Sequence, residues 1–198
     1  MSAVPFANAL PAVAPHTNHP VIRAMARGVL RLFGWKLLGT FPNVPRVLII
    51  AAPHSSAWDA IWGLLIKVAI GLDIEFMAKK EIFFFPLGLV LRLLGGVPVD
   101  RHAANGVVGA TVQALRSKPV CWVVLAPEGT RRRVERWRTG FWHIARQADV
   151  PVCCLYLHYP EKTFGIGPVL EMSDDMHADI AKLRAYYEPF QGKHRKRN

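Results

Sequence analysis

Apolar positions recur along the chain at two periods, and the switches between those periods mark out its elements. Residues 21–38, VIRAMARGVLRLFGWKLL, place Arg23, Arg27 and Arg31 four apart on one face. Ile22, Met25, Val29, Leu30, Phe33 and Leu37 cover much of the rest. That pattern predicts an amphipathic helix whose basic and apolar stripes suit a membrane interface. From residue 46 onward short apolar runs alternate with helical segments. Residues 47–51, 74–78, 97–100, 121–126 and 152–157 read as strands, and residues 57–70, 103–116, 140–148 and about 174–187 read as helices. A further helix opens at the Pro-Leu-Gly turn after residue 85 and runs to about residue 94. Strands this short, separated by helices, predict a single α/β domain with a mostly parallel sheet flanked by helices. In such sheets, sites form in the loops beyond the carboxyl ends of the strands. Along the chain this gives a loose arm over 1–20, broken by Pro5, Pro11, Pro15 and Pro20, and an amphipathic interfacial helix over 21–40. The folded domain follows over 41–190 and a basic tail over 191–198.

Composition narrows this picture. The 198 residues suffice for one domain with a proper core and are too few for two. Apolar residues make up 52%, which fits a folded chain carrying extra exposed apolar surface and excludes a disordered one. The longest charge-free apolar run in the body, residues 82–91, contains Pro86 and reaches only half of the roughly twenty residues that cross a bilayer. The opening residues lack a basic start and a clear apolar stretch, so no signal peptide is expected.

Lys and Arg total 25 against 14 acids, a net charge of +11. Such a balance favours an anionic membrane surface, a phosphorylated substrate or nucleic acid. The aromatic residues are not interleaved with the basic runs as a base-stacking platform requires, which argues against nucleic acid. Cys121, Cys153 and Cys154 lie in apolar strand-like runs without metal-ligand spacing. They are expected to be reduced core thiols.

Three clusters could carry chemistry. Pro53-His54-Ser55-Ser56-Ala57-Trp58-Asp59 follows the first buried strand. On one continuous helix His54 and Asp59 would diverge by about 140°. With His54 in the loop and Asp59 in the first turn of the next helix they can meet. The histidine is then a general base whose ring a carboxylate orients. The same residues also read as a plain helix cap, Ser56 to Asp59. Pro127-Glu128-Gly129-Thr130-Arg131 follows another buried strand and combines a glycine for close backbone approach with an acid and cations, a natural anion site. Gly96-Val97-Pro98-Val99-Asp100-Arg101 is a strand ending in an acid–arginine pair. A metal-dependent hydrolase built on His54 and Asp59 would need a second ligand cluster that the sequence does not offer.

In this order the clusters resemble the four blocks of the glycerolipid acyltransferases typified by 1-acylglycerol-3-phosphate acyltransferase, over about residues 30–170. His54 and Asp59 match the histidine–four residues–aspartate block. Arg101 ends the second block and Pro127 to Arg131 match the third. Val150-Pro151-Val152 resembles the proline-centred fourth. Lys79 resembles a family lysine near the acceptor phosphate, with Lys80 an equal alternative. Pro53 stands where the family often has asparagine, and Ala126 where it often has phenylalanine.

The resemblance implies transfer of a fatty acyl group from acyl-CoA or acyl carrier protein to a lysophospholipid-type hydroxyl. 1-Acylglycerol-3-phosphate, giving phosphatidic acid, is the expected acceptor, and another lysolipid or an inactive lipid-binding relative is the alternative. His54 and Asp59 would be catalytic. Lys79, Arg101 and Arg131 would hold the phosphate, and Glu128, Gly129 and Thr130 would shape the pocket. No metal or cofactor is implied. The expected setting is cytoplasmic, on the inner face of the cell membrane, with anionic lipid as partner.

Overall fold

The computed structural model describes Phe6, residues 10–100, residues 106–130, Val134 and residues 136–194. Among them the order is α1 (Pro20–Leu32), β1 (Lys36–Leu38), β2 (Arg46–Ala51), α2 (Ala57–Ile70), β3 (Glu75–Lys79), α3 (Leu87–Leu93) and β4 (Gly96–Val99). Then follow α4 (Gly106–Ser117), β5 (Cys121–Leu125), α5 (Gly140–Ala148), β6 (Val152–His158), β7 (Thr163–Leu170) and α6 (Met176–Tyr187). The strands form one sheet in the order β1-β7-β6-β2-β5-β3-β4. Neighbours are parallel except β6 and β7, which pair antiparallel.

β2 is the central strand, and its alternating side chains explain why both faces are covered. Leu48 and Ile50 point into one core with Leu115, Phe141, Ile144 and Leu183. Val47 and Ile49 point into the other with Leu30, Ile66, Ile70 and Trp122. The predicted single α/β domain with a mostly parallel sheet is therefore the fold observed.

The N-terminal helix differs from expectation in length and in orientation. It ends at Leu32, and residues 36–38 belong to β1, which pairs in parallel with β7. The break is a Schellman arrangement: Gly34, at φ +76°, donates to Arg31 O and Trp35 donates to Leu30 O. Buried Trp35 and Leu37 then carry the chain into the core.

The basic stripe faces inward. Arg23 donates to Ile70 O at 3.1 Å and Arg27 to Ala69 O at 2.8 Å. Carbonyls at a helix C-terminus lack intrahelical partners and carry partial negative charge, so two guanidiniums are drawn to the end of α2. The outward face is apolar: Val21, Ile22, Met25, Leu32 and Phe33 are all exposed. The expectation that all three arginines meet lipid is corrected for Arg23 and Arg27.

Residues 163–170, without an assigned element in the sequence reading, form β7. At the C-terminal tail Lys193 Nζ lies 4.4 Å from the Trp58 ring centroid. Residues 195–198 lie outside the described residues, as do Arg101 and Arg131. Among the described residues no helix is long and apolar enough to cross a membrane.

Candidate active site

β2 and β5 are hydrogen-bonded neighbours, and the loops after them carry the first and third sequence clusters. His54 stands in the loop after β2, and Asp59 in the first turn of α2. His54 Nδ1 is 3.4 Å from Asp59 Oδ2, with the aspartate side chain only 3% exposed.

The helix cap forms, and the same aspartate also lies beside the His54 ring. The Ser56 side chain accepts from Trp58 N–H, and Asp59 Oδ2 accepts from Ser55 N–H at 2.6 Å and Ser56 N–H at 2.8 Å. A cap of this kind contributes about 1 kcal/mol to the helix. Here it also fixes the carboxylate that faces the imidazole. Tyr159, just after β6, donates to Asp59 Oδ1 at 2.6 Å. Burial pushes the Asp59 carboxyl up, but hydrogen bonds from His54, Tyr159, Ser56 and Ser55 outweigh it and hold it below the usual range. With Nδ1 turned to a fixed negative charge, Nε2 is the nitrogen able to accept a proton.

Glu128 braces this loop. Its carboxylate accepts from the His54 backbone N–H, at 3.1 Å to Oε1 and 3.2 Å to Oε2. The backbone N–H groups of His54, Ser55 and Ser56 are thus all committed to holding the loop. Gly129 sits at φ +65°, and a Cβ there would stand 2.5 Å from Arg138 Cδ. The positive φ favours glycine, and any Cβ there would have to displace the Arg138 side chain.

Two cavities meet at His54. One, of about 880 Å³, runs over the ends of β3 and β5 toward α5 and carries Lys79, Gly129, Thr130 and Arg138 in its wall. The other, of about 420 Å³, descends between the sheet and α2 and is walled mainly by Ile, Leu, Phe and Val. His54, Met77, Lys79, Ile82, Leu125 and Ala126 border both.

The two lysine candidates stand in different places. Lys79 lines both cavities and, among the described residues, makes an exposed pair with Glu81 at 3.3 Å, an interaction weakened by solvent screening. Lys80 instead pairs with Asp100 at 2.5 Å and lines neither cavity.

Tyr159 and Arg138 were not visible as site residues in the sequence. Tyr159 lies 100 positions from Asp59, and Arg138 sits in a basic run of which each arginine looks alike. The cysteines match the sequence reading: burial pushes Cys121 and Cys154 up to about 11 and Cys153 to about 12, leaving protonated core thiols.

No curated protein matches the sequence significantly. The crystal structure of the 1-acyl-sn-glycerophosphate (LPA) acyltransferase PlsC from Thermotoga maritima has a similar fold, with a TM-score of 0.58 and 18% identity. The likeness covers 86% of this chain and 75% of that one. The Acyltransferase family model matches residues 40–158, well over half of the chain and including both loops that border His54, and the protein belongs to that family of enzymes.

Proposed function

We propose that the protein moves a fatty acyl group from acyl-CoA or acyl carrier protein to the free hydroxyl of a lysophospholipid-type acceptor. 1-Acylglycerol-3-phosphate, yielding phosphatidic acid, is the acceptor that fits best. The observation that carries this reading is the position of His54: its ring is oriented by a buried carboxylate at the junction of a cation-bearing cavity and an apolar one.

In the proposed step the acceptor hydroxyl gives its proton to His54 Nε2 as its oxygen bonds to the thioester carbonyl carbon. Asp59 stabilises the imidazolium. The C–S bond then breaks, and the departing sulfur takes the proton, leaving an ester, a free thiol and neutral His54. No acylated side chain intervenes, and no metal or cofactor takes part. Lys79 and Arg138 support a phosphate site in the larger cavity. Arg101 and Arg131 are assigned to the same phosphate by family resemblance alone.

The test is a set of phosphorylated and non-phosphorylated lysolipids with one acyl-CoA. Lys79→Ala and Arg138→Ala together should raise KM for the phosphorylated acceptor at least about tenfold, as expected for lost charge-assisted bonds, with far less change in KM for the donor. Equal KM values for phosphorylated acceptor in parent and variant would move the phosphate elsewhere.

A long-chain acceptor resides in a bilayer, and the apolar surface supports docking there. Ile82 borders both cavities and begins an exposed run that includes Phe84, Phe85, Leu89 and Leu93. The outward face of α1 adds Met25 and Leu32. Apolar patches of this extent, on a chain of net charge +11, suit an anionic membrane surface. Each phenylalanine sunk below the headgroups contributes about 1.5–3 kcal/mol. Phe84→Ser with Phe85→Ser should therefore lower partitioning onto anionic liposomes at least about tenfold. Transfer to bilayer-bound acceptors should fall more than transfer to a short, soluble one. Unchanged co-sedimentation with liposomes would exclude this surface.

A further inference from the structure

The chain after α6 turns back over the catalytic loop. Its root is buried Tyr187, which bridges β6 to β2: Leu155 N–H donates to its hydroxyl at 2.9 Å, and the hydroxyl donates to Ile50 O at 2.7 Å. Phe190 then stacks on Tyr156, with ring centroids 3.6 Å apart and planes 9° from parallel. Gln191 pairs through its backbone in both senses. Its N–H donates to His158 Nδ1 at 3.0 Å, and its carbonyl accepts from Tyr159 N–H at 3.0 Å. Gly192 lies against Ser55, and Lys193 reaches the Trp58 ring.

The approach at Gly192 is tight. A Cβ there would stand 2.3 Å from Ser55 Oγ and 2.8 Å from Ser55 Cβ. The Gly192 backbone lies outside the left-handed region, so space and not conformation calls for glycine. Ser55 Oγ is buried and makes no hydrogen bond among the described residues, so packing against Gly192 is what fixes that side chain. What Tyr159 and Ser55 hold gives these contacts their meaning. Tyr159 donates to Asp59 Oδ1, and Ser55 N–H donates to Asp59 Oδ2. Each oxygen of the carboxylate beside His54 is therefore held by a residue that the C-terminal segment holds in turn. The Acyltransferase model ends at residue 158, so Tyr159 and the whole segment lie beyond the matched residues.

We infer that residues 190–193 form a clasp that orients the Asp59 carboxylate toward His54, with Gly192 as a positioning residue. This rests on the acyl-transfer reading above and adds to it the device that keeps the carboxylate in place. Asp59 Oδ2 lies 3.4 Å from His54 Nδ1, and a shift of Ser55 would draw that oxygen out of line. A misplacement of about 1 Å at a catalytic group can lower a rate about a hundredfold.

The experiment compares the full-length parent, Gly192→Ala, Ser55→Gly and the double variant, each by steady-state kinetics and by amide hydrogen exchange. Gly192→Ala should lower kcat at least about tenfold with KM for either substrate within about threefold, since the loss falls on the base and not on binding. Ser55→Gly removes both of the atoms that the new methyl would strike. In that background the same alanine should cost less than about twofold, a coupling that a merely stabilising segment would not give. Exchange at the Ser55 and Tyr159 amides should quicken at least about tenfold in Gly192→Ala, and the double variant should match Ser55→Gly. Exchange needs no turnover, so a parent that transfers no acyl group removes the acyltransferase reading while the clasp is still tested. A folded Gly192→Ala with kcat within about twofold of an active parent overturns the inference, as does an equal loss in both backgrounds. Parental exchange at Ser55 and Tyr159 in Gly192→Ala would also overturn it, by showing that the segment yields to the methyl and the loop does not.

Discussion

His54→Ala should lower turnover by about a hundredfold to ten-thousandfold, the range for loss of a positioned general base, while the protein stays folded. The imidazole side chain is 28% exposed, so its removal opens no deep core cavity. The His54 backbone N–H still reaches Glu128, which keeps the loop tied to the end of β5. Product formation with one acyl-CoA and one lysolipid gives the rate, and circular dichroism with a melting curve gives the fold. Because the base acts in the transfer itself, kcat should carry the loss and KM for either substrate should move little. A folded His54→Ala protein that keeps more than about a tenth of parental turnover would remove the proposed mechanism.

Asp59→Asn is expected to be comparably severe, for a different reason. The amide can still accept from Ser55 and Ser56 and so keep the cap, since asparagine caps helices as well as aspartate does. It cannot balance an imidazolium. In the orientation that keeps the cap, a neutral oxygen faces Nδ1 and the NH₂ meets the Tyr159 hydroxyl, which loses its acceptor. A loss of at least about a hundredfold in kcat is the expected result, in a protein that still folds but melts somewhat lower at neutral pH, where the carboxylate's contribution is complete. Tyr159→Phe removes one bond to the same carboxylate and leaves its charge, so its effect should be smaller, at most about tenfold.

Acid stability gives a second reading of Asp59. Its folded carboxyl titrates below the unfolded value of about 3.9, so its contribution is complete above that value and is lost as pH falls through the folded one. Asp59→Asn should therefore flatten the parent's loss of stability in that acid window. An Asp59→Asn protein with near-parental kcat would show that the histidine needs no orienting charge.

Where physics is local, the elements could be read directly. The limits of α2 and α5 follow from apolar periodicity bounded by Ser56 and Gly71 and by Gly140 and Asp149, and both helices fall where the pattern places them. The five buried strands are short apolar runs, and the His54–Asp59 spacing contains its own geometry. What depends on distant partners was not readable. β7 contains Gly165, Gly167 and Pro168, which look like loop residues. A Cβ on either glycine would strike the rings of Tyr156 or Tyr186, so the strand is glycine-rich to admit aromatic neighbours. The inward turn of Arg23 and Arg27 likewise depends on the carbonyl end of α2, some 40 residues away. A helical wheel shows that two faces differ and does not say which one water sees.

Because α2 is secured at its N-terminus by the Ser56–Asp59 cap and at its C-terminus by two guanidiniums from α1, the residues between can change without moving either end. The helix that holds the carboxylate beside His54 is thus fastened at both ends.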